Sequence, residues 1–217
     1  DLKSHGIDVD SLLARSPEGR LVTVNGRLLT SCRYPDIGFL SVKNAIPESV
    51  RDEPITVDVS KSIAREMATW KDIDDAYVFI YIRQLWHPGY RKMLAYDPEN
   101  ATFDISIDDQ WGLNRLDKFY IYNVPEEMTM PGEYYISRDG VLYIYKTDDF
   151  DGSSVCVAAS ENPIISFDGV SGVTLDNFVI ENCNATAVAG HGDNLNISNC
   201  VIRAAKNGIF LDGGHDI

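Results

Sequence analysis

Two aspartates in the C-terminal part of the chain have the type and spacing of an acid and base pair. Asp168 and Asp212 lie 44 residues apart, which is two rows of a 22-residue repeat. If the rows stack like neighbouring β-strands, about 4.8 Å apart, the two backbones lie about 9.6 Å apart. Paired carboxylates near that distance can act as general acid and general base. Each aspartate also precedes a glycine, so an ordinary turn residue is the alternative interpretation.

Two histidines and a third aspartate follow in the same glycine-rich segments. His215 lies one row beyond Asp193, so stacking of the rows places an imidazole beside a carboxylate. His191 lies two residues before Asp193. We predict that these residues form a polar strip suited to hydrogen-bonding a sugar or to orienting an acid. A solvated turn with ordinary polar residues is the alternative.

The elements that must position these side chains are the rows of the repeat. Residues 173–180 align without a gap on residues 195–202. One column of the alignment contains Asp168, Gly190 and Asp212. A period in the low twenties, with short apolar runs separated by Asn and Gly, predicts coils of a right-handed parallel β-helix. Asn177 and Asn199 share a column and are expected to stack as an asparagine ladder at a corner of the coils.

The preceding part of the chain has the pattern of an antiparallel β module. Asn25 and Gly26 lie between two alternating apolar runs, which predicts a type I′ hairpin. Ser60–Trp70 is the best helix candidate, and the apolar run Ala76–Ile82 predicts a strand that is buried on both faces. Turn residues recur every ten to fifteen positions, as in a sandwich or barrel.

The predicted fold class is therefore all-β. An antiparallel β-sandwich or barrel-like module is followed by the first coils of a right-handed parallel β-helix. We place the boundary in the polar segment Asp148–Ser154. The predicted domains are an antiparallel β insertion module at 1–154 and truncated coils at 155–217.

Some aromatic side chains of the first module have the shape to stack on sugar rings. Trp86 and His87 precede Pro88 in a predicted loop and are the best surface candidates. Further candidates are Arg33, Trp70 and Trp111. An all-β module of this size also needs an aromatic core, so packing is the alternative for each of them.

Charge and composition exclude several classes of protein. The chain has 33 acidic and 19 basic residues, a formal net charge of -14, and so lacks the basic footprint that nucleic acid binding needs. No apolar run reaches the length that spans a bilayer. The four cysteines have no metal-ligand spacing, and there is no glycine-rich phosphate loop, so no metal and no cofactor are expected. Whether any cysteines pair is left open.

Four motifs, in order along the chain, carry a resemblance to a known family. They are Asp1–Ile7, Val24–Gly26 with Arg33–Pro35, Trp70 with Asp74–Val78, and Pro131–Tyr135 with Gly140–Tyr143. Over nearly all 217 residues the chain resembles secreted bacterial right-handed β-helix proteins of the pectin-lyase-like type, in which a β-sandwich-like module is inserted between coils. Two positions depart from that pattern: Cys32 stands where the family usually has Ala, and Asp36 where it has Asn.

The resemblance implies a secreted bacterial glycoside hydrolase that acts on plant-type polysaccharide without a cofactor. Ile217 falls in the column of Val173 and Leu195, so we expect the chain to be a fragment that ends within a coil. The remaining coils of its parent protein are then its partners, together with a polysaccharide or oligosaccharide. Because most catalytic carboxylates are expected beyond Ile217, we expect little turnover by this chain alone. Within the chain the candidates are Asp168 and Asp212 for catalysis, and His191, Asp193, His215, Trp86 and His87 for substrate binding.

Two other functions stay open at this point. A non-catalytic glycan-binding or adhesin-type β-helix protein would have the same repeat. A polysaccharide lyase of the same fold is the second alternative, and it usually needs Ca²⁺ and a basic residue as the catalytic base. Arg203 and Lys206 are the basic residues of the coils, which counts mildly against a lyase.

Overall fold

Contacts between backbone positions divide the chain into two compact units. The structure is a computed structural model that describes residues 1–46, 54–71, 73–106, 112–151 and 154–215. Unit A consists of Asp1–Thr30, Ser137–Val141 and Thr147–Ile217, and unit B consists of Ser31–Ile136 and Leu142–Lys146. Unit B is therefore inserted into the chain of unit A. The sequence-based boundary after residue 154 stays a prediction.

The described residues form two short α-helices, several 3-10 turns and many short strands. The α-helices are α1 (Val9–Ala14) and α2 (Lys61–Met67), and the 3-10 turns are Lys3–His5, Pro17–Gly19, Ile73–Asp75 and Pro125–Glu127. The strands are β1 (Val22–Val24), β2 (Arg27–Leu28), β3 (Thr30–Ser31), β4 (Arg33–Tyr34), β5 (Leu40–Ser41), β6 (Pro54–Asp58), β7 (Tyr77–Tyr81), β8 (Pro88–Asp97), β9 (Thr102–Ser106), β10 (Lys118–Tyr122), β11 (Glu133–Ile136), β12 (Leu142–Ile144), β13 (Val155–Val157), β14 (Ile165–Ser171), β15 (Thr174–Asp176), β16 (Val179–Asp193), β17 (Asn196–Ser198) and β18 (Val201–Leu211).

The fold is mostly β, as predicted. Its antiparallel part is β-sandwich-like, and no sheet among the described residues closes on itself, which favours the sandwich over the barrel. None of the helices in the described part of the chain is long and apolar enough to cross a membrane.

The repeat of unit A is present as parallel strand pairing. Strands β14, β16 and β18 pair in that order, and β15 pairs with β17. Paired residues lie 22 positions apart along β15 and β17 and over the first part of β16 and β18, as in Leu175 with Ile197 and Ile180 with Ile202, so the predicted register is confirmed there. The interior between the rows is apolar and contains the buried side chains of Ile180, Cys183, Ala187 and Val188.

Two irregularities change the register next to the predicted site. Asp168 pairs with His191, and Gly190 pairs with Leu211. The predicted column of Asp168, Gly190 and Asp212 is therefore wrong. One extra residue follows Asp168 in β14, and another lies between Cys183 and Thr186 in β16. A bulge of one residue moves every later side chain by one position, so His191 takes the place predicted for Gly190.

Left-handed residues mark the corners between strands. Asn177 and Asn199, which each lie between two strands, have φ values of 62° and 51°, and Asn182, at a bend within β16, has a φ of 61°. Asparagine tolerates this region better than most residues do, which explains why it recurs at the corners. Asn177 and Asn199 directly follow the paired residues Asp176 and Ser198, so they hold equivalent positions on neighbouring rows, but the Asn199 amide donates to the Asp176 carboxylate at 2.8 Å.

The predicted Asn-Gly hairpin is confirmed in unit A. Strands β1 and β2 pair in antiparallel fashion, and Asn25 and Gly26 both have positive φ, as a type I′ turn requires. Strand β13 pairs with the other edge of β1. The buried Thr23 hydroxyl donates to the Asn182 side chain at 2.7 Å, which joins the hairpin to a corner of the rows.

Unit B contains a seven-stranded antiparallel sheet with β7 near its centre. The strand order is β4-β10-β7-β8-β9-β6, with β5 also on β10. Val78, Phe79 and Ile80 in β7 are all buried, which confirms the prediction for this run. The predicted helix is shorter than expected: α2 ends at Met67 rather than Trp70, and the Ser60 hydroxyl caps it by accepting from the Ile63 N–H at 3.3 Å.

Candidate functional site

The predicted polar strip lies on three neighbouring rows of unit A. Asp168 and His191 are direct neighbours on β14 and β16. Asp212 follows β18, and its backbone N–H donates to the carbonyl of Gly190 at 2.9 Å, which places it beside His191. The backbone of His191 therefore lies on the row between those of Asp168 and Asp212.

The first contact of the strip joins Asp168 and His191. The Nε2 atom of His191 lies 3.6 Å from Oδ1 of Asp168, which makes this a loose ion pair when the imidazole is protonated. The side chains are 54% and 99% exposed, respectively. Exposed pairs of this kind contribute little to folding stability. Because both side chains are more than half exposed, both are accessible to a ligand.

The second contact joins Asp193 and His215, as predicted. The Nδ1 atom of His215 lies 3.3 Å from Asp193 Oδ1, and the backbone N–H of His215 donates to the same oxygen at 2.9 Å. Backbone hydrogen bonds fix the rows on both sides. Gly172 N–H donates to the Asp193 carbonyl at 3.0 Å, and Asn194 N–H donates to the His215 carbonyl at 2.9 Å.

Two glycines permit the close stacking beneath the strip. A Cβ atom on Gly190 would lie 2.2 Å from the carbonyl oxygen of Phe167, and Gly190 has a φ of 142°. A Cβ atom on Gly192 would lie 2.2 Å from the carbonyl oxygen of Val170. The sequence shows glycines on both sides of His191, but it does not show that backbone carbonyls of the neighbouring row occupy the space of a Cβ atom at both positions.

The strip can accept and donate many hydrogen bonds at a water-exposed surface. Carboxylates accept from hydroxyl groups, and neutral imidazoles both accept and donate. Glycosidases normally hold their general acid in a desolvated pocket, where the protonated form is favoured. The nearly complete exposure of Asp168 fits ligand binding better than it fits that role.

The aromatic side chains that were predicted to stack on sugar rings belong to unit B, and two of them form a second candidate binding site. Trp86 is 73% exposed in the loop between β7 and β8, and its ring stacks on His87 with centroids 5.9 Å apart and planes at 19°. Leu85 beside it is 74% exposed. The loop prediction is therefore confirmed, and the exposed indole face is available for stacking on a sugar ring.

The other aromatic candidates pack within unit B. Trp70 is 7% exposed, and its Nε1–H donates to Glu127 at 2.6 Å, which supports the core interpretation. The Arg33 guanidinium lies 3.7 Å from the centroid of the Tyr120 ring, a cation–π contact. Trp111 lies outside the described residues.

Sequence reasoning missed two buried carboxylates in unit B. Glu127 and Glu133 are 7% and 4% exposed. Desolvation raises the pKa of each, although hydrogen bonds from Trp70 to Glu127 and from the Met130 and Thr129 N–H groups to Glu133 oppose the shift. Glu133 begins β11 directly after Pro131 and Gly132, and nothing in its residue type or spacing marks it as buried. Their hydrogen bonds indicate a structural role.

Metal and thiol chemistry find no support among the described residues. All four cysteines are free, and no group of three potential metal ligands forms in the described part of the chain. Burial and the neighbouring Glu133 carboxylate raise the pKa of the Cys32 thiol. Such a shift keeps the thiol protonated and therefore unreactive.

The chain has little similarity to known proteins. No protein-family model matches the sequence, and no curated protein matches it. A solved structure titled "Glycoside hydrolase" is similar to this chain, with a TM-score of 0.49 and 17% sequence identity. The similarity covers 79% of this chain and 31% of the other chain, so this chain spans less than a third of that structure. A similarity at this level assigns neither a fold nor an activity.

Proposed function

We propose that the chain supplies a saccharide-binding face to a secreted bacterial glycoside hydrolase, and that its parallel rows are coils of a right-handed β-helix. Parallel pairing at 22-residue intervals and left-handed asparagines at the corners support the coil architecture. The observation that carries the functional proposal is the exposed strip, where two carboxylate and imidazole pairs lie on neighbouring rows. Plant-type polysaccharides present closely spaced hydroxyl groups that match such a strip.

Binding is tested on a glycan array with neutral and acidic plant oligosaccharides. We expect the wild-type chain to be retained by a subset of them, and the Asp193→Asn and His215→Ala variants to lose most of that retention. His5→Ala is the matched control, because His5 is an exposed histidine of unit A outside the strip. Equal retention of all variants would show that the strip is not the binding face.

For hydrolysis, Asp168 and Asp212 are the proposed carboxylates, on either side of His191. Their backbones lie two rows apart, about 9.6 Å, at the edge of the separation of about 6.5–9.5 Å between carboxyl groups that inverting enzymes use. Release of reducing ends from polysaccharide by the full-length parent protein measures the reaction, since little turnover is expected from this chain alone. Replacement of either aspartate by asparagine is expected to lower the rate at least about 100-fold. An unchanged rate in the Asp212→Asn variant would remove Asp212 from the mechanism.

A non-catalytic glycan-binding protein is the second candidate function. The 99% exposure of the Asp168 side chain favours it, since a solvated carboxylate binds hydroxyl groups readily. Retention on the array without any release of reducing ends would support this candidate over the hydrolase. For the lyase alternative, Arg203 lies 2.5 Å from the Glu181 carboxylate in an ion pair, which leaves Lys206 as the basic residue of the rows that could act as the base.

A further inference from the structure

A polar pocket in unit A is lined by residues outside the strip. Its volume is about 440 Å³, within the range of about 300–1,000 Å³ found for small-molecule sites. The polar side chains around it come from the end of α1, from the segment after β13 and from two neighbouring rows. They include Arg15, Glu161, Asn184, Thr186, Lys206 and Asn207.

Asn184 is the most informative residue of this pocket. It is 7% exposed, and its Oδ1 atom is closed to solvent without a hydrogen-bond partner among the described residues. Buried side-chain amides nearly always have partners, so this unpartnered amide at the pocket wall points to a ligand hydroxyl. Because the oxygen is closed to solvent, contact with that hydroxyl requires a small turn of the Asn184 side chain. Asn184 also begins an Asn-Ala-Thr glycosylation motif, but its burial excludes it as an acceptor of a glycan in the folded chain.

Arg15 is held in place before any ligand arrives. Its side chain is 12% exposed and lies 2.9 Å from the Glu161 carboxylate. The guanidinium also donates to the carbonyl of Ala159 at 2.7 Å. Arg20 donates to the carbonyl of Arg15 at 2.9 Å, which fixes the backbone at the end of α1. A guanidinium that is fixed by main-chain groups loses little entropy when it binds a ligand.

The charge of the pocket has the opposite sign to that of the whole chain. Arg15 and Lys206 contribute two positive charges and Glu161 one negative charge, a sum of +1, whereas the chain carries -14. Lys206 is exposed and has no ion-pair partner in the described part of the chain. Asn207 donates to the Thr186 hydroxyl oxygen at 3.4 Å, which leaves the hydroxyl proton free to donate. The pocket is therefore cationic and rich in donors.

We infer that this pocket binds a small hydroxylated carboxylate of the uronic acid class. The ligand carboxylate would lie beside Lys206, and its hydroxyl groups would lie near Asn184, Thr186 and Glu161. Charge-assisted hydrogen bonds of this kind are the strong ones, and they require an anion rather than a neutral sugar. The inference does not depend on the function of the strip.

Calorimetric titration with three probes tests the ligand class. Sodium glucuronate carries both the carboxylate and the hydroxyl groups, glucose lacks the carboxylate, and acetate lacks the hydroxyl groups. At equal ionic strength we expect glucuronate to bind at least about tenfold more tightly than either other probe, the effect of one charge-assisted hydrogen bond. Equal affinity for glucose would overturn the anion preference. Equal affinity for acetate would overturn recognition of the hydroxyl groups.

Variants locate the site. Lys206→Ala is expected to weaken glucuronate binding about tenfold, while Lys3→Ala, an exposed lysine of unit A away from the pocket, leaves it unchanged. Thr186→Val is a second variant that keeps the shape but loses the hydroxyl, and its thermal unfolding shows whether it folds. Unchanged binding in both pocket variants would refute this site. Unchanged glucuronate binding in both pocket variants, together with its loss in Asp193→Asn, would assign the ligand to the strip.

Discussion

Glu127 is a buried carboxyl group that serves as the hydrogen-bond acceptor of a buried indole. Its carboxylate accepts the buried Trp70 indole N–H at 2.6 Å, and burial together with the nearby carboxylates Glu66, Asp36 and Glu133 raises its pKa. A glutamine keeps an acceptor for the indole and removes the charge. A leucine removes the acceptor and leaves a buried donor unpaired, which costs about 1–3 kcal/mol.

We therefore predict opposite effects from two replacements at this position. Glu127→Gln should maintain or raise the free energy of unfolding at neutral pH, and Glu127→Leu should lower it by about 1–3 kcal/mol. Urea denaturation of each variant measures the effect. If the leucine variant proved as stable as the glutamine variant, the indole hydrogen bond would have no structural importance.

The raised pKa values also fix the direction of the pH dependence. The native carboxyls of Glu127 and Glu133 bind protons more tightly than the unfolded chain does, where the pKa is 4.5. Their contribution to stability is fully present below pH 4.5 and is lost as the pH rises through the raised native values. We expect the Glu127→Gln variant to lose part of this decline when unfolding is followed over that range of pH. A decline identical to that of the wild type would contradict the assignment.

At the scale of the elements, the rows of unit A depend on the close approach of their backbones. Gly190 has a φ of 142°, and a Cβ atom there would lie 2.2 Å from the Phe167 carbonyl oxygen. Gly208 lies in the next row, where the nearest atom to an added Cβ is an Ile202 methyl carbon at 4.0 Å. These glycines form a matched pair, because an added Cβ atom has no space at Gly190 and has space at Gly208.

Two single variants, with alanine at one glycine or at the other, are expected to differ in stability. Gly190→Ala should lower the free energy of unfolding by about 2 kcal/mol or more, because the backbone must move or adopt a strained conformation. Gly208→Ala should leave stability nearly unchanged or raise it slightly, because alanine restricts the unfolded chain. Thermal unfolding monitored by circular dichroism compares the two variants. Similar losses in both would mean that the rows do not approach as closely as described.

The cap of α2 gives a prediction for unit B. The Ser60 hydroxyl accepts from the Ile63 N–H at the start of a helix whose residues Ile63, Ala64 and Met67 are buried. Ser60→Ala should lower the free energy of unfolding by about 1 kcal/mol, while Ser60→Asp should retain most of it, since aspartate is also a good cap. Chemical denaturation measures both. An alanine variant with wild-type stability would show that the cap is not needed.

Local patterns predict the elements well, and register poorly. The Asn25-Gly26 hairpin and the buried strand β7 follow from residue types that permit few other structures. The 22-residue spacing predicts which rows pair. A bulge, in contrast, adds one residue without changing the residue types around it, so the sequence could not show that His191 lies beside Asp168.

At the scale of the whole molecule, contacts that follow the 22-residue repeat could be predicted from the sequence, and contacts between distant segments could not. The contact of Asp193 with His215 was predicted because it follows directly from the repeat. The pocket around Asn184 was not, because it unites α1 with residues more than 140 positions further along the chain. Contacts of such long range depend on how segments pack, and no periodicity in the sequence records them.

The measurement that tests saccharide binding by the strip most directly is NMR titration of the isotope-labelled chain with a plant oligosaccharide retained on the array. We predict saturable shifts of the backbone amides of Asp168, His191, Asp193 and His215, and their disappearance in a variant with both Asp193→Asn and His215→Ala. Shifts confined to the loop that contains Trp86 and His87, or saturable shifts that survive in the double variant, would contradict the proposal that the strip is the binding face.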